Sequence, residues 1–355
     1  MDVARIVVLI LAVAFGVVSY RRFMGGGSGE TKSARRAQEL GFLPESRQNT
    51  RSAAPEPHVE RVTAAAARGR WEGAAEMLAE TRANRDWERR SHLADRFGSQ
   101  EAARPGSWLD AWEAAAGPDD PDVALVRARA TVALAWHLRG AQYAKHTSAE
   151  QFAGFFTTLR QAPGLNARAA ELAPDDPSPY VSEIWAAVGL NYSHDEMERI
   201  WKEITARAPY HYGAHRAALQ YWCAKWHGSA ELATGFARDA AAAAPPGTLL
   251  TALPLIAWYE HHDSDAKAAD FRSPDVTALV DAALMDVSAA PPGHPHVAGL
   301  RHILAYFLTR QCRYDAAVEQ FRLVDGHVGA LPWYYLGEEE AYCRWRDRAI
   351  RGAGL

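Results

Sequence analysis

The sequence predicts an all-α protein built from consecutive helix pairs. Three observations carry this. Alanine, the strongest helix former, is abundant and clusters at Ala64–Ala67 and Ala240–Ala244. Alternating runs of Val, Ile and Thr, which mark strands, are nearly missing beyond residue 20. The prolines fall mostly between apolar helical segments, where they act as stops.

The chain opens on Ile6 to Tyr20, an uncharged run. At about 1.5 Å per residue it covers roughly 22 Å, against a hydrocarbon core of about 30 Å. Adding Val3 and Ala4, with Arg5 snorkelling outward, brings the helix to roughly 27 Å. Tyr20 and the pair Arg21-Arg22 form an interfacial boundary. A cleaved signal peptide is the rival reading, with Val17 and Ser19 ahead of a cut at Tyr20. Against it, the residues before the run hold one arginine and an aspartate, and the stronger basic cluster follows. Residues 1–23 are therefore expected to be an uncleaved, single-pass membrane anchor. Arg21, Arg22, Lys32, Arg35 and Arg36 outweigh Arg5, which places the bulk of the chain on the cytoplasmic side.

Residues 24–57 are rich in glycine, serine, proline and charge, with little to bury, and read as a flexible linker. A short amphipathic piece at Ala34–Leu43 is expected to be helical near the membrane surface. Residues 58–355 form the expected helical repeat domain. His58–Ala67 and Trp71–Arg82 make a first pair around the turn Arg68-Gly69-Arg70. Arg85–Arg96 follows, with Asn84 as cap, and then Ser107–Ala116, closed by Gly117-Pro118. Asp119-Asp120-Pro121 caps Asp122–Arg139, and residues 140–150 read as a loop. Phe152–Arg160, Leu165–Leu172, Pro179–Gly189, Asp195–Ala206 and His211–Lys225 come next. Ala230–Ala242, Leu249–Glu260, Pro274–Met285, Val297–Thr309 and Tyr314–Val324 lead to a closing helix at Trp333–Arg351. This gives about fifteen helices with short joints, as expected of stacked pairs.

Repetition supports the pairing. Ala167 to Pro174, Glu203 to Pro209 and Ala237 to Pro245 end alike, their prolines 35 and 36 residues apart. Tyr314, Ala317 and Phe321 share one helical spacing with Trp71, Ala74 and Leu78, and Leu304, Ala305 and Leu308 supply the preceding helix. The chain thus resembles tetratricopeptide-repeat proteins, whose period is about 34 residues and whose second helix ends at a proline. That resemblance implies an α-solenoid. The match is good in two repeats and poor in others, with Met197 at a small position and Trp201 at a large one. Residues 140–160 and 260–296 interrupt the period. A second stretch, 209–260, carries Pro209 to His215, Lys225 to Ser229, Phe236 to Arg238 and Pro245 to Gly247. It is similar to a family of bacterial helical proteins to which no activity is attached, and the resemblance implies fold without chemistry.

Composition narrows the function. Net charge is −4, with basic residues dispersed, so no stripe suits nucleic acid. Five of the 39 basic residues are lysine, a bias expected of a GC-rich bacterial genome. Cys223, Cys312 and Cys343 lie far apart and fit three reduced thiols. No GxSxG, P-loop, dinucleotide fingerprint or HExxH occurs, so the chain reads as non-enzymatic and without a cofactor. The weak metal alternative is His211 with His215, spaced i, i+4, in a histidine-rich region at 209–302 that would make the chain a metal- or ligand-binding effector or enzyme. His261-His262-Asp263, Gly293 to His296 and His302 add to it only if the fold gathers them. Glu338 to Glu340, and the Asp119-Asp120 and Asp175-Asp176 pairs, read as helix caps.

The string Lys225-Trp226-His227-Gly228-Ser229 is the most distinctive. It ends one helix, turns on Gly228 and caps the next with Ser229. Tyr212, Trp222, Lys225, Trp226 and His227 are the expected partner-binding residues, since aromatics dominate hot spots. The leading expectation is a membrane-anchored scaffold whose helical-repeat groove takes a protein or peptide.

Overall fold

The computed structural model describes residues 32–140 and 147–355. Among them every regular element is a helix. The α-helices are α1 (Lys32–Glu39), α2 (Pro57–Ala66), α3 (Glu72–Ala83), α4 (Trp87–Phe97), α5 (Trp108–Ala116), α6 (Pro121–Arg139), α7 (Ala149–Leu159), α8 (Ala162–Leu172) and α9 (Ser178–Leu190). They continue as α10 (His194–Arg207), α11 (Tyr212–Trp222), α12 (Ala230–Ala242), α13 (Leu253–His262), α14 (Pro274–Ala289), α15 (Val297–Arg310), α16 (Tyr314–Val324), α17 (Trp333–Leu336) and α18 (Glu338–Gly352). An isolated parallel bridge joins Asn49 to His327. The expected anchor at residues 1–23 lies outside the described residues. No described helix is long and apolar enough to cross a membrane.

The single repeat domain expected from residue 58 divides instead into two compact units, the break falling within α12. One is Pro55–Ala233; of the described residues, the other comprises 32–54 and Thr234–Leu355.

In the first unit, α2 to α6 close on a core that includes Val59, Leu78, Phe97, Trp112 and Val126. Trp112 stacks between Trp71 and Trp108, with ring centroids 5.7 and 6.1 Å away. A second core joins α6 to α9 through Val132, Phe155, Leu159 and Ala186. Caps set the helix starts. Asp120 accepts from the amides of Asp122 and Val123, as its position before Pro121 predicts. Ser148 and Ser193 form capping boxes with Gln151 and Glu196. Asn84 does not cap α4. It closes α3, and Asp86 accepts from the Arg89 amide instead.

No local pattern announces the charge buried in this unit. Arg90 is fully buried. Its Nε donates to Asp176 Oδ2 at 2.5 Å, its Nη2 to Asp122 Oδ1 at 2.7 Å and its Nη1 to the Leu78 carbonyl at 2.9 Å. Arg82 adds two bonds of 3.2 Å to Asp122. Asp176, expected only to cap a helix, does accept from Ser178 N but spends its other oxygen on Arg90. Each of the three Arg90 nitrogens has an acceptor, which offsets the cost of burying the charge.

In the second unit, α15 and α16 pack as an antiparallel-type pair in which Leu304, Ala305, Leu308, Ala317 and Phe321 are all fully buried. The small alanines let the two backbones approach, and the larger side chains fill the space around them. The expected closing helix is broken in two. Gly337 takes φ +109°, left-handed backbone that favours glycine, and separates α17 from α18. Glu338 to Glu340 then fall in the first turn of α18.

From Lys32 the stretch read as a flexible linker is ordered. α1 lies against α18, with Ala37 and Phe42 buried. Asp325 accepts from the Leu43 amide at 2.6 Å and from Gln48 Nε2 at 2.8 Å. The Val328 and Gly329 amides donate to the carbonyls of Asn49 and Arg51 at 2.7 and 2.8 Å. The composition is that of a tether because backbone groups, rather than apolar side chains, make most of these bonds.

Candidate functional site

Four of the five residues expected to bind a partner sit around the end of α11. The helix stops at Trp222, three residues earlier than the pattern predicted. The chain then turns back on itself, His227 N donating to the Tyr221 carbonyl at 3.2 Å and Gly228 N to that of Cys223 at 3.3 Å. A Cβ on Gly228 would lie 1.9 Å from the Trp222 carbonyl oxygen, so only glycine fits the turn. Ser229 accepts from Leu232 N and starts α12, as its place before that helix predicts.

Four of the five residues stand at the surface to different degrees. Lys225 is exposed, while Trp222, Trp226 and His227 are half-buried. Tyr212 is the correction. It is 2% exposed, because it opens α11 on the core side, and its amide with that of Gly213 is held by the Glu88 carboxylate. Trp226 meets Trp136 edge-on at 5.8 Å, and Trp136 in turn meets Phe155 and Trp185. Trp222 meets His194 at 4.8 Å and Tyr221 at 5.0 Å. His194 Nε2 lies 2.7 Å from the His227 carbonyl, and His227 Nε2 lies 2.8 Å from that of Val188. A carbonyl only accepts, so both nitrogens carry their proton and the two rings are fixed. The result is a rigid aromatic and imidazole cluster, with Lys225 at its edge.

His211 and His215 are placed otherwise than a metal pair needs. Both are 4% exposed. His211 Nδ1 accepts from Ala214 N at 3.1 Å, which fixes the proton on Nε2, 3.0 Å from Ser91 Oγ and 3.1 Å from the Trp87 carbonyl. His215 Nδ1 donates to the His211 carbonyl at 2.9 Å and its ring stands edge-on to Trp201. Burial pushes the His215 pKa down to about 4. Among the described residues, no three His, Cys, Asp or Glu side chains gather where a metal ion could sit. None of the three cysteines forms a disulfide, with Cys223 and Cys343 buried and Cys312 exposed.

Two half-buried carboxylates stand out: Glu183, which escaped the sequence reading, and Asp263, which it named beside His261 and His262. In the first unit, Glu183 accepts from Tyr192 Oη at 2.9 Å and Asn166 Nδ2 at 2.7 Å, and burial raises its pKa. Asn166 Oδ1 and the neighbouring Ser182 Oγ are buried without partners. The one signal was a lone carboxylate in the apolar run from Tyr180 to Leu190. In the second unit, Asp263 accepts from Tyr306 Oη at 2.8 Å, and burial raises its pKa too. Its neighbours His261 and His262 turn their Nδ1 atoms to the carbonyls of Ala257 and Trp258 at the end of α13. His302 is fully buried, accepts from Trp333 Nε1 at 2.9 Å, and is pushed down to about 3 by burial. Glu183, Asp263 and His302 are each hydrogen-bonded within their own unit. Comparison with protein-family models, with curated proteins and with solved structures found no match for this chain.

Proposed function

We propose that the chain is a membrane-anchored scaffold or adaptor that binds a protein or peptide partner. In this reading residues 1–23 hold it to the cell membrane as a single pass, with the helical body on the cytoplasmic side. The uncharged run at Ile6 to Tyr20 and the basic residues after it support that placement. The helix pairs resemble tetratricopeptide repeats, and the burial of Ala74 and Leu78 in one pair and of Ala305, Ala317 and Phe321 in another supports the likeness.

The observation that carries the binding proposal is the fixed cluster at the end of α11. Trp222 and Trp226 are partly exposed yet held by ring contacts and a turn that admits only Gly228. A surface ordered in advance gives up little side-chain entropy on binding, and tryptophan is enriched among residues that dominate interfaces. Lys225 beside them favours a partner with an acidic residue next to an apolar one.

The test is crosslinking in intact cells with the full-length tagged chain and a Trp222→Ala, Lys225→Glu double variant. Truncating an interface hot spot costs about 2 kcal/mol or more, so recovery of a specific partner is expected to fall roughly 30-fold. Equal recovery with both forms would remove this surface as the binding site.

A further inference from the structure

The exposed side of α18 concentrates positive charge. From Ala341 to Arg351 every exposed side chain is an arginine: Arg344, Arg348 and Arg351. Spaced i, i+4 and i+7, they share one helix face. With Trp345 they line a surface pocket of about 370 Å³.

The pocket's floor is held firmly. The Trp345 ring meets Tyr306 edge-on at 4.9 Å, and the guanidinium groups of Arg310 and Arg348 lie 5.6 and 5.3 Å from it. The charge is little neutralised. Arg344 meets Glu340 at 3.2 Å, with both side chains largely in water. Arg351 donates to Ser33 Oγ, a neutral partner, and Arg348 lies beside Tyr314. Asp347, which could have neutralised the face, points inward to Arg346. α1 brings exposed Lys32, Arg35 and Arg36 to the same region, and Arg36 pairs with Glu39.

Arg351 touches Ser33, and Lys32 is twelve positions beyond Tyr20, the end of the uncharged run. Fully extended, twelve residues reach no more than about 40 Å. An anchored chain therefore keeps this pocket close to the membrane surface, where the cytoplasmic leaflet presents anionic headgroups. Arginine matches a phosphate with its planar fork of donors, and tryptophan favours the headgroup level.

We propose that the pocket formed by Arg344, Trp345, Arg348 and Arg351 binds the phosphate of an anionic membrane phospholipid. The inference rests on the membrane-anchored reading. The lipid, rather than free phosphate, is the occupant because the tether confines the pocket to a surface where headgroups are concentrated.

The experiment uses the full-length protein in zwitterionic detergent. It is titrated calorimetrically with short-chain phosphatidylglycerol, with phosphatidylcholine of equal chain length and with inorganic phosphate. The wild type is compared with an Arg344→Gln, Arg348→Gln, Arg351→Gln variant and with Arg104→Gln, an exposed arginine of the first unit. Each basic residue near an anionic surface contributes about a fivefold factor, so the triple variant is expected to bind phosphatidylglycerol on the order of a hundredfold more weakly. Arg104→Gln is expected to match the wild type, and phosphatidylcholine and phosphate to bind at least about tenfold more weakly than phosphatidylglycerol. Equal binding of the two lipids, or no loss in the triple variant, overturns the proposal. Phosphate binding as tightly as phosphatidylglycerol overturns the lipid as occupant. If thermal melting shows the triple variant unfolded, Arg348→Gln alone carries the test, with about a fivefold loss expected and none overturning it. Carbonate washing of membranes from cells making the full chain separates the two readings. Release of the chain removes the anchor and the lipid site together. Retention without lipid preference removes the lipid site alone.

Discussion

Glu183 shows how a single side chain can be costly and yet fully used. It is ionisable, half-buried, and bonded to one hydroxyl and one amide, with no cation beside it among the described residues. Burial without a countercharge favours the protonated form, which is the direction of its shift. Removing the carboxyl leaves Tyr192 and Asn166 without an acceptor, whereas a glutamine keeps the shape and drops the charge. Glu183→Ala is therefore expected to lower stability by about 2–4 kcal/mol, and Glu183→Gln by less than about 1 kcal/mol at neutral pH. Denaturant melts of the two variants check this, and equal losses would mean that the charge itself is needed. His215 gives a second expectation. Unfolded, it takes up a proton near pH 6.5; folded, it resists protonation down to about pH 4. Between these values the unfolded chain holds more protons, so stability falls as the pH drops through that window. From pH 7 to pH 5 this residue is expected to remove about 2 kcal/mol, and His215→Gln to abolish that share. Melting the wild type and the variant at both pH values decides it, since equal acid sensitivity would exclude His215 as the source.

At the scale of elements, local signals were legible and distant ones were not. The caps at Asp120 and Ser229 and the span Tyr314–Val324 follow from nearby residues and were read correctly. The break at Gly337 was missed because the apolar pattern runs on across it, and only the left-handed backbone reveals the stop. Tyr212 could not be sorted from Trp222 because the two aromatics at the ends of one helix differ only in which meets the core. Nothing near Arg90 announces that Asp122 and Asp176, far along the chain, will meet it. The docking of residues 42–51 was hidden in the same way, since its partners lie about 280 positions away. Asp325 is the hub of that docking. It also accepts from Tyr342 Oη at 3.2 Å and lies 3.8 Å from Arg346. Bonds to a charged acceptor contribute about 1.5–3 kcal/mol each, so Asp325→Ala is expected to speed hydrogen exchange at Leu43, Val328 and Gly329 by roughly a hundredfold. Unchanged protection at these amides would show that the segment is held by other contacts.

At the scale of the whole molecule, the sequence suggested one continuous array, and the chain instead forms two compact units, one of them assembled from two separate stretches. That division was invisible because each helix obeys the same local rules whichever unit it joins. The discontinuity bears on how the protein is made. Residues 32–54 are synthesised well before their distant bonding partners, which lie between Arg322 and Arg351. At about 5–20 residues per second, the intervening 270 or so residues take roughly fifteen to fifty seconds to synthesise. For that interval the early segment has its Asn49 and Arg51 carbonyls and the Phe42 ring without their final partners, while Pro55–Ala233 emerges with all the residues of its own unit. Folding of that unit can precede completion of the other. Among the described helices, the one translated last closes over the one translated first.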